Sequence, residues 1–480
     1  MLIYKNIKKP GLPVFHIAST IFSIFLLNYI SITGVGQSNN ILLFVIVQIA
    51  LYLLSPICAF VFCFVMNINL MQNSNPLWMQ PLTVVFSCSI FIFNPKLIKP
   101  LLNNKKFKTV FYFSLMYSFF IIYINLLSKT DVNAKVIFEH FNILFGFLIF
   151  VPAYYFTVRQ PENLFKCFAS IAFCFLVVYY INLIFNLNLF KIGEINASIE
   201  TQLTRFAGYD LRQFIVFFIF LIPAFLLTKA VSIITKYLII SIGFGALLVL
   251  ILGIYRLAMF YNFMGLLLSL YFIGKYVKTG QLLKRFIFIA IFVSFSVSFF
   301  SEYITEFQKV FSGTLDYFNG KGDDVSADER FLNQAPILLA YIYTDFWTGC
   351  GIVEAALMTK KEMYGFVDIP LLGSLAKFGF LAMFFYYFRF YYILRNKNQF
   401  NIKYLSLYNE NQKLFLYVYL TVKAYIISLI TFRLFYISWE LAFDWQQLEF
   451  GLLVGIYIGL ERVIMQNENI IFHQLKIKNE

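Results

Sequence analysis

Residues 248–274 read LVLILGIYRLAMFYNFMGLLLSLYFIG. Two apolar runs, 236–254 and 257–274, meet at a short turn that carries one charge, Arg256. About twenty apolar residues suffice for a helix to cross a bilayer. Strands of a membrane barrel would alternate polar and apolar positions, and this stretch does not. The pattern therefore reads as two consecutive membrane helices joined by a tight turn.

The rest of the chain repeats that pattern. Of 480 residues, 60% are hydrophobic, 20% aromatic and 13% charged, against roughly 25% charged in soluble domains. Mean hydropathy is +0.76. Further apolar runs fall near 14–33, 41–70, 77–94, 107–128, 136–158, 164–190, 213–229, 286–300, 370–394, 413–437 and 446–463. The expected fold is all-α: one polytopic membrane bundle over residues 1–480. The run 41–70 is too long for one span and contains Ser55-Pro56, where a helix can break. Two short passes there give fourteen spans; a re-entrant segment gives about twelve.

The formal net charge of +14 sits mostly in short segments between runs. Cationic loops mark the cytoplasmic side of a membrane protein. The segments 94–108, 158–166, 228–236, 274–285 and 395–403 carry that excess, as do both chain ends, so the N- and C-termini read as cytoplasmic. With the charge placed this way, and with no basic-aromatic groove, nucleic acid is not an expected partner. Membrane lipids are. The six cysteines show no disulfide framework or zinc spacing, and the three histidines are scattered, so no metal or cofactor is expected.

This orientation leaves two long segments outside, 191–212 and 301–369. Between Glu302 and Asp368 there are eleven acidic and five basic residues, the balance of an exported loop. A loop of that length is commonly functional. Within it, Ser326-Ala327-Asp328-Glu329 has the form of a capping box. Phe331, Leu332, Ile337, Leu338, Leu339 and Ile342 then recur at helical spacing. An amphipathic helix lying on the outer surface or packed over the bundle is expected, kinked at Pro336, with Trp347 at the interface and Gly349-Cys350-Gly351 ending it.

Five arginines fall on the outward side: Arg205, Arg212, Arg256, Arg330 and Arg433. They run against the positive-inside bias, so topology does not account for them. A guanidinium presents a fixed fork of donors suited to phosphate oxygens. Snorkelling to headgroups, or pairing with Asp328 or Glu329, is the plainer use of such residues. Arg212 and Arg433, at span edges, fit that use best. Asp328, Glu329, Asp345, Glu354 and Asp368 are candidate general bases, and Asp368, directly before a span, is the best placed. Lys377, Lys423 and Arg389 are charges within spans, Arg389 reading as one that reaches the cytoplasmic face.

Three stretches together resemble the O-antigen polymerase and O-antigen ligase superfamily. They are RFAGYDLRQF (205–214), the arginine-bearing turn at Tyr255-Arg256, and ERFLNQAPILLAYIYTDFWTGCGI (329–352) followed by the span with Gly379. The likeness covers roughly residues 190–395. Ligases of this group commonly carry a histidine just before the span that here starts at Pro370. This chain has Asp368-Ile369, which favours a polymerase.

The resemblance implies a metal-independent, inverting glycosyltransferase in the bacterial inner membrane. Its substrate would be a glycan on undecaprenyl pyrophosphate, and its possible partner a chain-length regulator protein. Arg205, Arg256 and Arg330, with Arg212 and Arg433, would hold the pyrophosphate. Asp368 would orient the acceptor hydroxyl. The rival expectations are a ligase, a transporter of lipid-linked oligosaccharide, and a non-catalytic scaffold.

Overall fold

A computed structural model describes residues 12–32, 37–74, 79–127, 145–185, 194–197, 204–207, 209–252, 256–277, 329–351, 369–395, 407–436 and 444–479, with the single positions 287 and 312. The described chain is an all-α, multi-pass membrane bundle with one small hairpin. Among the described residues, four helices have the length and hydropathy to cross a membrane: Pro161–Phe185, Ile233–Leu250, Leu371–Leu394 and Glu410–Thr431. Shorter apolar helices pack among them. Phe22, Leu53, Phe93, Ile184, Ile234 and Phe263 are all exposed. A surface of this kind suits hydrocarbon, and helices suit it because they satisfy their own backbone.

The N-terminal helices are α1 (Val14–Ile32), α2 (Gln37–Leu54), α3 (Pro56–Ser74), α4 (Met79–Ser87), α5 (Ser89–Phe93), α6 (Ile98–Leu102) and α7 (Lys105–Leu127). The long run 41–70 is divided at Ser55-Pro56. Phe44 and Phe62 stack with ring centroids 5.6 Å apart. One straight helix would hold them about 27 Å apart, so the chain folds back at the proline. Residues 57–66 of α3 are almost wholly buried.

Next come α8 (Phe150–Arg159), α9 (Pro161–Phe185), β1 (Glu194–Ala197), β2 (Thr204–Ala207), α10 (Tyr209–Leu227), α11 (Ile233–Leu252) and α12 (Arg256–Gly274). The two strands lie in the segment expected to be a simple outer loop. They pair antiparallel, with Asn196 opposite Arg205 and Ile195 opposite Phe206. A closed ladder satisfies backbone groups that a bare loop against the bundle would leave open.

The C-terminal helices are α13 (Ala335–Asp345), α14 (Pro370–Leu394), α15 (Glu410–Tyr436) and α16 (Asp444–Asn479). A π-helical turn, Glu329–Gln334, leads into α13. Pro336 stands in the first turn of α13, directly after the π-helical turn, where the winding changes; proline lacks the N–H that would continue the preceding turn. The expected amphipathy is absent. Leu338 is fully buried, yet Leu339 and Tyr343 on the exposed side are apolar as well. The helix is suited to contact lipid rather than water.

Helix α16 packs closely on α8 through Gly455 and Gly459, and on Phe147 and Ile149 just before it through Gly451. A methyl group at Gly455 would lie 2.5 Å from the Ala153 Cβ. Small residues four apart let two membrane helices approach at backbone distance.

Candidate functional site

Contacts between helices set the height of each arginine along the bundle. Phe220 of α10 packs on Tyr425 of α15, with centroids 4.4 Å apart. Gly265 of α12 lies at the same height, against Phe220 and Ser428. Ser269 and Thr421 are hydrogen-bonded at 3.1 Å, so α12 and α15 run antiparallel. Arg212 precedes Phe220 by eight residues, Arg433 follows Tyr425 by eight, and Arg256 precedes Gly265 by nine. At 1.5 Å per residue, all three backbones stand about 12–14 Å from that common level, toward one end. Arg205, in β2, is four residues before α10 at the same end, where β2 packs on α11.

The π-helical turn bearing Arg330 joins this end through α14. That helix is broken at Gly379, whose φ is 72°. Segment 346–351 fills the break. The N–H groups of Cys350 and Gly351 donate to the carbonyls of Ala376 and Lys377, at 2.8 and 2.9 Å. In return, the N–H groups of Phe380 and Leu381 donate to the carbonyls of Phe346 and Trp347, at 2.8 and 3.3 Å. Both exposed ends of the broken helix are thus satisfied by one segment. The lock requires glycine: a methyl group at Gly379 would sit 2.4 Å from the Trp347 oxygen, and Gly349 has φ 70° in the same contact.

The fold therefore carries the backbones of Arg205, Arg212, Arg256, Arg330 and Arg433 to one end of the bundle, here called the arginine end. Their side chains, and Asp368 altogether, lie outside the described residues. Among the described residues no cluster of three His, Cys, Asp or Glu is placed to hold a metal ion.

The other end is rich in lysine, and several of its charges have partners within the fold. Lys106 of α7 forms an ion pair with Glu461 of α16 at 2.9 Å. The Lys106 ammonium also lies 5.2 Å from the Tyr457 ring centre. Lys413 pairs with Glu410 at 2.8 Å, and Glu410 also accepts the Lys229 N–H at 3.3 Å. Lys236 donates to the carbonyls of Leu226 and Thr228, closing the C-terminus of α10. Tyr408 donates to Glu468 at 2.6 Å. Burial, and then this bond to Glu468, push the Tyr408 phenol well above its usual range.

Between the two ends lie polar groups that sequence reasoning misplaced or missed. Arg389 of α14 does not reach the cytoplasmic face; it is 1% exposed. Its guanidinium carbon lies 3.8 Å from the centre of Phe147 and 4.2 Å from that of Tyr386. Its Nη2 donates to Gln447 Oε1 at 3.2 Å. Rings within this range attract a desolvated cation, which explains why the side chain stays inside instead of snorkelling. Lys377 is also buried, beside the break in α14. Lys423 is half-buried, 5.4 Å from the Phe272 ring centre.

Glu449 of α16 was missed. It is 6% exposed, accepts a hydrogen bond from the Tyr425 hydroxyl at 2.9 Å, and lines a cavity. The signal was present, since an acid inside an apolar run is a functional candidate by default.

No protein-family model matches the chain, and no curated protein matches it to a significant degree.

Proposed function

We propose that the protein is a polysaccharide polymerase of the bacterial inner membrane. It joins oligosaccharide repeats carried on undecaprenyl pyrophosphate, by inverting glycosyl transfer at the outer leaflet. The observation that carries this reading is the gathering of five arginine backbones, from a strand, three helices and a π-helical turn, at one end of a membrane bundle. On this reading the arginine end faces outward with the loop 301–369, both termini are cytoplasmic, and the whole chain has twelve to fourteen spans.

Breaking the anomeric bond leaves charge on the departing pyrophosphate. Guanidinium groups fixed beforehand in a partly dewatered site stabilise that charge as it develops. Arg205, Arg256 and Arg330 hold the pyrophosphate, with Arg212 and Arg433 at its margin. Asp368 orients or deprotonates the acceptor hydroxyl. The α13–Gly379 lock fixes the turn bearing Arg330 against the bundle, so that donor and acceptor are held in register. A chain-length regulator fits as a partner.

The ligase reading lacks a histidine before α14. A transporter of oligosaccharide needs a polar lumen, whereas the deep walls of the described cavity are chiefly aromatic and aliphatic. The test is a deletion strain complemented with wild type or Arg256→Ala, its surface polysaccharide resolved on a gel. A polymerase gives single-repeat product in the deletion and a restored ladder with wild type alone. Finished polymer accumulating on the lipid carrier indicates the ligase, and repeats trapped on the inner leaflet indicate the transporter.

A further inference from the structure

An elongated cavity of about 470 Å³ lies between α9, α10, α15 and α16, within the size range of ligand pockets. Its exposed lining residues, Glu162, Lys166, Ser232 and Asn411, all stand at the lysine end, which is its mouth. Its deepest level is at Tyr425 and Glu449. From Asn411 to Tyr425 is fourteen residues of α15, about 21 Å of helix. One leaflet of a bilayer, headgroups included, is about 20–22 Å thick. The cavity therefore has the length of one leaflet, running from the end of the bundle to its middle.

Polarity falls along that length. The mouth offers an acid, a base, a hydroxyl and an amide. Beyond it the walls are chiefly rings and branched chains, among them Phe165, Phe168, Phe218, Phe415, Val418 and Leu453. The polar groups farther in are held by the fold itself. Thr157 donates its hydroxyl to the Ala153 carbonyl at 2.7 Å. Glu449 accepts the Tyr425 hydroxyl at 2.9 Å and has further contacts within the fold. Neither calls for a charged or polar ligand.

Three classes of occupant can be compared. An ordered water needs roughly two to four polar partners, and the middle of the cavity offers rings. A sugar would bury its hydroxyls there without partners. A hydrocarbon chain needs none, and it restores the dispersion contacts that the walls of an empty space lack. Lipids of the leaflet at the lysine end keep their headgroups at the level of the mouth and point their chains toward the middle of the membrane. That is the direction in which the cavity runs.

We propose that this cavity binds a phospholipid of the leaflet at the lysine end, with one acyl chain inside. A zwitterionic headgroup stays at the mouth, its phosphate toward Lys166 and its amine toward Glu162. This is independent of the glycosyl-transfer reading, since the cavity opens at the end opposite the arginines.

The test is photo-crosslinking of the intact chain in phosphatidylethanolamine vesicles. A fraction of the lipid carries a diazirine at the tip of one acyl chain, and labelled residues are mapped by mass spectrometry. Leu452 and Leu453, at the deep end, are buried, whereas Phe173 and Val177 of α9 are exposed. The expected result is labelling of both sets in the wild type. Val418→Trp should fill the space and remove the label from Leu452 and Leu453 alone. A free fatty acid with the same diazirine should label the deep pair less, since it lacks the headgroup. Any one of these results would overturn the proposal: no label at the deep pair, the same label there in Val418→Trp, or equal labelling by the free fatty acid. If Val418→Trp does not give monodisperse protein, Leu414→Trp, nearer the mouth, blocks the same path and is read in the same way.

Discussion

The two ends of the bundle handle positive charge differently. At the lysine end, Lys106, Lys413 and Lys236 each have a partner in the chain: a carboxylate, a carboxylate, and a set of helix-terminal carbonyls. At the arginine end, the fold gathers cationic positions from elements distant in sequence. One is on a strand, three are near the ends of packed helices, and one is on a turn locked to a broken helix. Lysines paired within the fold serve its assembly. On the proposed reading, the gathered arginines serve a ligand.

That contrast can be broken by substitution. The largest effect should come at the arginine end. Arg256→Ala should lower polymer yield by roughly a hundredfold or more with normal protein levels, the scale of losing one fixed donor to a developing anion. Arg256→Lys should restore only part of it, because a point charge lacks the guanidinium fork. The polysaccharide gel, normalised to membrane protein level, checks both. Equal ladders from all three proteins would remove the distinction between the ends.

The opposite signature is expected at the lysine end. Lys106→Ala leaves Glu461 buried without its ion partner and should destabilise the fold by about 3–5 kcal/mol. A melting curve in detergent reads that loss, and Glu461→Gln in the same chain should recover much of it. The polymer made per folded molecule should change little.

Gly379→Ala sharpens the comparison, because it joins structure to site. The methyl group meets the Trp347 oxygen at 2.4 Å in a left-handed conformation, and should cost about 2–3 kcal/mol. Here, unlike Lys106→Ala, polymer per folded molecule should fall as well, since the lock holds the turn bearing Arg330. The smallest effect should come from Ser269→Ala, which removes one buried hydrogen bond to Thr421. Its expected loss is about 1 kcal/mol, visible in the melting curve and absent from the gel.

Much of the fold was legible in the sequence because lipid imposes helices on apolar runs. Helices α10, α11, α12, α14 and α15 begin and end within a few residues of those runs. Ser55-Pro56 marked a break correctly because proline removes a helical donor. The β1–β2 hairpin was not legible, since its two four-residue strands lie in a stretch with no sustained alternation. The apolar outer side of α13 was misread because apolar residues at helical spacing suggested a single apolar face, whereas Leu339 and Tyr343 lie on the exposed side.

The site was legible as residue types and not as geometry. Glycine in the sequence 349–351 signalled an ending, yet the reciprocal bonds on either side of Gly379 depend on a contact across about thirty residues. Arg389 was placed at the membrane edge by its position in the run. Only the fold shows the rings of Phe147 and Tyr386 that hold it inside.

The central claim is that the arginine end, and not the lysine end, carries the chemistry. The most direct measurement is polymer ladder length in a deletion strain carrying wild type, Arg256→Ala or Lys106→Ala, at matched levels of folded protein. The account predicts a full ladder from wild type and Lys106→Ala, and single-repeat product from Arg256→Ala. A full ladder from Arg256→Ala, or its loss in Lys106→Ala alone, would contradict it.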